Sequence, residues 1–122
     1  MRIILADNRR KVRFALRTLL TQQTNLEIVG EASDAQDLLS LLETTCPDAV
    51  LLDWELPGMD IIELLASLRT LCPGMPVLAL SGRVQARRAA MDAGVDAFVS
   101  KGDPPERLLS ALRSFTPRQT GS

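Results

Sequence analysis

The chain contains no histidine. That removes the Ser-His-Asp and Cys-His nucleophile systems, histidine-ligated zinc and any phosphohistidine formed on the chain itself. It contains no apolar run approaching the ~18 residues needed to cross a bilayer. It also has no secretory signal, since "MRIILADN" is a short apolar run followed at once by charge. Excess charge of one sign is missing as well: 14 Lys and Arg stand against 15 Asp and Glu. No global electrostatic pull toward nucleic acid or a membrane surface follows. The one basic cluster, Arg9, Arg10, Lys11, Arg13 and Arg17, reads as a solvated helix face. Cysteine is scarce: Cys46 and Cys72 each precede a proline, and in a chain of this kind they read as core or loop thiols. The expectation is a cytoplasmic protein. What remains is 122 residues at 46% apolar content, with no stretch polar enough to look disordered, which fits one domain around a single core.

Short apolar runs alternate with longer segments of helical period. Ile3 to Ala6 is the first strand candidate, followed by Val12, Leu16, Leu19 and Leu20 at helical spacing with Asn8 as cap. Leu26 to Ala32 is a second strand. Asp34 caps a helix bearing Leu38, Leu39, Leu41 and Leu42, which ends by Pro47. Ala49 to Leu52 follows as a strand, then a helix through Ile61, Leu64, Leu65 and Leu68. The remainder reads as strand Val77 to Leu80, helix Val84 to Asp92, strand Ala97 to Val99, and a last helix opening in "DPPERLL", where proline is tolerated in the first turn. "LLSLLETTCPDAVLLD" and "LLASLRTLCPGMPVLALS" echo one βα unit used repeatedly.

Alternation with uniformly apolar strands specifies a parallel sheet covered on both faces, hence a doubly wound α/β domain of five units. Right-handed crossovers permit the flavodoxin-like strand order 2-1-3-4-5, although periodicity does not choose it uniquely. Ligands in such sheets sit beyond the carboxyl ends of the strands. Those ends here are "ILADN", "VLLDW", "LALSG" and "FVSKG", which deliver Asp7, Asp53, Ser81 and Lys101 to one edge. A buried acid needs a partner, and two close carboxylates raise each other's proton affinity unless a cation lies between them. Lys101 supplies one positive charge, and Mg²⁺ suits a site of few carboxylates plus waters. A carboxylate so placed, with a hydroxyl nearby, is set to attack a phosphoryl group, a reaction that rests mainly on positioning and charge neutralisation. Asp53 would become an aspartyl phosphate.

The pieces "ILADN", "AVLLDWELPGMD", "VLALSG", "AGVDAFVSKG" and "PPERLLSAL" occur in this order, and with them the chain resembles a response-regulator receiver domain from Arg2 to about Phe115. Its flavour is similar to receivers of the helix-turn-helix output subfamily. The resemblance implies a receiver over residues 1–116, a tail or truncated linker over 117–122, and the flavodoxin-like order 2-1-3-4-5. It also implies Asp53 as phosphoacceptor, Ser81 as the hydroxyl that moves to the phosphoryl group, Lys101 as the lysine bonding a phosphoryl oxygen, and Phe98 as the aromatic switch whose ring turns inward. Mg²⁺ would be held by Asp7, Asn8, Asp53 and the backbone carbonyl of Glu55. The implied partners are a histidine kinase or phosphotransfer protein, and a second copy through the surface of helix 4, strand 5 and helix 5. That subfamily usually continues into a DNA-binding domain, so nucleic-acid binding is not expected of this chain itself.

Three departures stand against the pattern. Asn8 occupies the place of a second acid and brings no charge to the metal. Ile61 follows Asp60 where glycine is common. Gly102 rather than proline follows Lys101, which makes the cis peptide usual there costlier. Asn8 supports one rival, a degenerate receiver acting as a phosphorylation-independent interaction module. A second rival is a small phosphatase of the haloacid-dehalogenase type, but that family wants an aspartate two residues after the nucleophile, where this chain has Glu55, and cap segments that 122 residues cannot hold. A flavin carrier would need a hydroxyl- and glycine-rich loop where "DNRRKVR" stands. The expected role is thus a phosphoacceptor switch rather than a turnover enzyme, with Trp54 as a half-exposed packing residue beside the acceptor.

Overall fold

The computed structural model describes residues 1–115; the expected domain end at 116 and the tail 117–122 lie outside them. Among the described residues ten elements alternate: β1 (Arg2–Ala6), α1 (Arg10–Thr21), β2 (Glu27–Ala32), α2 (Ala35–Thr44), β3 (Ala49–Asp53), α3 (Ile61–Leu71), β4 (Val77–Ser81), α4 (Ala86–Ala93), β5 (Ala97–Ser100) and α5 (Pro105–Arg113). All four strand pairings are parallel, in the order β2-β1-β3-β4-β5. This is the flavodoxin-like arrangement, with β1 and β3 adjacent where the order reverses.

The two-residue strand period explains why the strands look continuously apolar. Ile4, Val50, Leu52, Val77, Ala79 and Phe98 point to one face and pack with Leu38, Leu42, Leu64 and Leu68 of α2 and α3 and Ala90 of α4. Ile3, Leu5, Leu51, Leu78, Leu80 and Val99 point to the other and pack with Leu20 of α1 and with Leu108 and Leu112 of α5. The single core expected from composition is two cores, because both faces of the sheet are covered.

Local signals explain several helix boundaries. Asp34 caps α2 by accepting the Asp37 N–H at 2.8 Å. Asp60 caps α3 by accepting from Ile62 and Glu63 at 3.1 and 3.2 Å, so the chain turns into the helix with Ile61 in place of glycine. Gly94 ends α4 in the left-handed conformation, φ 101°. The cap expected of Asn8 is not made: Arg9 is the residue before α1, and Asp7 Oδ1 takes the Arg9 N–H at 2.9 Å. Helix α4 starts two residues later than expected, after a turn through Arg83. The bond after Lys101 is trans, as are all those among the described residues.

Three other expectations change. Cys46 and Cys72 are not thiols but a disulfide, S–S 2.08 Å. Each precedes the loop into one of the neighbouring strands β3 and β4, so the repeated Cys-Pro segments lie side by side at the end of the sheet away from Asp53. Trp54 is buried at 7% exposure in the α2–α3 core rather than half-exposed. In the basic cluster, Arg13 and Arg17 are paired with Glu31 on β2, at 3.3 and 2.7 Å, so only part of that helix face is merely solvated.

Candidate functional site

The chain brings Asp7, Asp53, Ser81 and Lys101 together at the carboxyl edge of the sheet, each at the end of a different strand or just past it. Backbone hydrogen bonds continue the sheet beyond its regular ladder. Asp7 N–H donates to Ala32 O at 3.0 Å, Trp54 N–H to Leu80 O at 2.7 Å, and Lys101 N–H to Ser81 O at 2.8 Å. The loops that carry the polar groups are therefore held by main chain, independently of the side chains they present.

Three of the four side chains form a charge cluster. Lys101 Nζ lies 2.7 Å from Asp7 Oδ2 and 3.4 Å from Asp53 Oδ1. Both acids are buried, at 1% and 2% exposure. Asp53 Oδ1 also accepts the Glu55 N–H at 3.0 Å. Burial pushes the Asp53 carboxyl above its ordinary range. The Glu55 backbone donor and the Lys101 charge oppose that rise, while the charges of Asp7 and Glu55 add to it. With two acids and one ammonium, the cluster carries a net charge of −1.

Ser81 takes no part in that cluster. Its hydroxyl is fully buried and hydrogen-bonds the Glu55 carboxylate, 2.9 Å to Oε2 and 3.2 Å to Oε1. It accepts the Arg83 N–H at 3.0 Å, and the Arg83 guanidinium reaches Glu55 Oε2 at 3.3 Å. The resemblance gives Glu55 only a backbone role, through its carbonyl. Its spacing, two residues past Asp53, was the available signal. Phe98 is buried at 6% exposure in the α2–α3–α4 core, with the Arg87 guanidinium 5.0 Å from its ring centre. Its ring is thus already inward while Ser81 is turned to Glu55.

The donor set suits a hard cation. Asp7 Oδ2 is a buried carboxylate oxygen that faces Lys101 closely yet has no aligned hydrogen-bond donor among the described residues. No group of three or more His, Cys, Asp or Glu side chains able to hold a metal occurs among the described residues. A cation here would draw on the two aspartates together with amide and backbone oxygens and water, which is the Mg²⁺ style of site. Asn8, exposed immediately after Asp7, and the Glu55 carbonyl are the oxygens of that kind next to the acids in sequence.

The fold and the edge cluster define a flavodoxin-like domain with a lysine-bridged pair of acids at its topological switch point. The response regulator receiver domain model matches residues 3–113, and the chain belongs to that family. Among curated relatives, it is 36% identical over 122 residues to the response regulator MprA of Mycolicibacterium vanbaalenii, covering 98% of this chain and 52% of the relative. It is 33% identical over 112 residues to the nitrate/nitrite response regulator NarL of Escherichia coli strain K12, covering 90% and 52%. The chain thus spans about half the length of these relatives. Among solved structures, RcsB of Salmonella enterica serovar Typhimurium, bound to the rprA promoter with phosphomimetic BeF3⁻, superposes with TM-score 0.86 at 26% identity, over 94% of this chain and 59% of RcsB. A LuxR-family regulator of Aurantimonas gives 0.84 at 30% identity, over 93% and 82%. Receiver domains are the signalling domains of two-component response regulators: they take part with histidine kinases, accept a phosphoryl group as their general function, and generally bind Mg²⁺ at the phosphorylation site. No helix among the described residues is long and apolar enough to cross a membrane.

Proposed function

We propose that this chain is a phosphorylation switch in which Asp53 is the phosphoacceptor. The observation that carries the reading is Lys101 Nζ set between Asp7 and Asp53, at 2.7 and 3.4 Å, on a buried sheet edge. A phosphohistidine on a histidine kinase or phosphotransfer protein is the donor. Asp53 attacks phosphorus through a carboxylate oxygen, the P–N bond breaks, and its electron pair stays with the donor's imidazole. Lys101, already placed against the acceptor, takes up a phosphoryl oxygen. Asp7, Asn8, Asp53 and the Glu55 carbonyl are the groups that would hold Mg²⁺, which when bound neutralises charge on the transferred group.

The added charge, about −1.5 to −2 at neutral pH, then draws Ser81 toward Asp53. Phe98 and the surface of α4, β5 and α5 respond, and a partner or a second copy reads that surface. The domain runs over residues 1–116, acts in the cytoplasm, carries no turnover activity beyond its own phosphorylation and dephosphorylation, and does not itself bind nucleic acid. In a reducing cytoplasm Cys46 and Cys72 would be the dithiol, and the acceptor, at the other end of the sheet, does not depend on their bond.

Trp54, buried beside Asp53, is the probe. Its fluorescence should change saturably with millimolar Mg²⁺ and again with beryllofluoride, and the second change should be absent in Asp53→Asn. A wild-type protein silent to both would overturn the reading in favour of a phosphorylation-independent interaction module. An already inward Phe98 and the uncharged Asn8 are the features that favour that module.

A further inference from the structure

Resting on the phosphoacceptor reading, we infer that Glu55 is a positioning residue: its carboxylate is a built-in competitor of the phosphoryl group for the Ser81 hydroxyl, held in place by Arg83. The hydroxyl has one proton to donate, and that proton lies toward Glu55, at 2.9 and 3.2 Å from its two oxygens. One of the acceptor positions on Ser81 is occupied by the Arg83 N–H at 3.0 Å. Ser81 cannot donate to a phosphoryl oxygen on Asp53 while it donates to Glu55, so one anion must displace the other.

Glu55 is suited to sense that exchange because it touches both ends. Its backbone N–H donates to Asp53 Oδ1 at 3.0 Å, while its side chain binds Ser81 and, at 3.3 Å, the Arg83 guanidinium. Charge on Asp53 therefore acts on the residue that restrains Ser81. A phosphoryl group there repels the Glu55 carboxylate and attracts the Ser81 proton, and the two effects add. Arg83 opposes the exchange by giving Glu55 a counter-ion. The pair sets how much phosphoryl affinity is spent on freeing the hydroxyl.

This arrangement makes a prediction of sign. Glu55→Gln replaces a charge-assisted hydrogen bond by a neutral one of about half its strength, and the half-saturating beryllofluoride concentration in the presence of Mg²⁺, read by Trp54 fluorescence, should fall about fivefold. Arg83→Gln removes the counter-ion and should lower it as well. A purely electrostatic effect on anion binding predicts the opposite for Arg83→Gln, since a positive charge is lost. In a Ser81→Ala background, both shifts should vanish, because no hydroxyl remains to be contested. Mg²⁺ affinity, measured separately, is not expected to rise in Glu55→Gln.

If the wild type responds to beryllofluoride but Glu55→Gln does not shift it, or shifts it equally in Ser81→Ala, or if Arg83→Gln raises the concentration needed, the competition is refuted while Asp53 remains an acceptor. If neither wild type nor variant gives an Asp53-dependent response, the phosphoacceptor reading falls and this inference falls with it.

Discussion

Replacing Lys101 by methionine keeps most of the side-chain volume and removes the one ammonium between two buried acids. At an effective dielectric of about 20, a pair of unit charges at 2.7 Å is worth about 6 kcal/mol and one at 3.4 Å about 5 kcal/mol. Much of that is offset by the cost of taking the charges out of water, so the net loss from breaking a buried pair is about 3–5 kcal/mol. The remaining cluster goes from −1 to −2, and Asp53, already raised by burial, is disfavoured further as an anion. A carboxyl whose folded-state proton affinity is raised costs nothing while it is protonated in both states. Its penalty appears as pH climbs through the ordinary carboxylate range and is complete above the raised folded value. Lys101→Met should therefore lose about 3–5 kcal/mol in urea denaturation at pH 7.5 and clearly less at pH 4. Millimolar Mg²⁺ should restore part of the loss at pH 7.5, because a bound cation replaces the missing charge. A loss under about 1 kcal/mol at pH 7.5, or an equal loss at both pH values, would refute the argument and leave Lys101 with a packing role only.

Two further perturbations test neighbouring steps. Asp53→Asn removes the disfavoured charge and leaves Lys101 paired with Asp7, so it should stabilise the fold by on the order of 1 kcal/mol at pH 7.5. That advantage should shrink as pH falls toward the ordinary carboxylate range; urea midpoints across the series check it, and destabilisation at neutral pH would contradict the burial argument. Gly58→Ala should cost about 1–3 kcal/mol, because Gly58 sits at φ 106° and an added Cβ would meet the Gln36 side chain and, at 3.2 Å, the Ala35 backbone nitrogen. A thermal-melt series shows that loss, and an unchanged midpoint would mean the turn rearranges freely.

Sequence pattern was sufficient for the elements and for the edge that carries the candidate site. Apolar runs of three or four residues leading to Asp7, Asp53, Ser81 and Lys101 fix where those groups go once the strands are parallel. It was insufficient where a long-range partner decides. Strand order came from resemblance, because a two-residue period is the same in every order. Glu55 offered only its backbone carbonyl because the hydroxyl its side chain binds is 26 residues away. Trp54 looked half-exposed because its neighbours are an acid and a turn, whereas the core beneath α2 and α3 takes its ring. Cys46 and Cys72 looked like separate thiols because their proximity depends on β3 lying beside β4. Asn8 looked like the cap of α1 from its place before the helix, yet the helix begins one residue later, with Arg9 at the cap position and no side-chain cap hydrogen bond.

Position 81 shows what the main-chain lacing at the sheet edge implies for variation. Its carbonyl holds Lys101 through the Lys101 N–H, and any residue offers the same carbonyl. Its hydroxyl answers to Glu55 and is lost with the side chain. Scaffold and proposed response are thus written on different atoms of one residue. A descendant of this chain could trade away the proposed response at position 81 and still present Asp53 beside a correctly placed lysine.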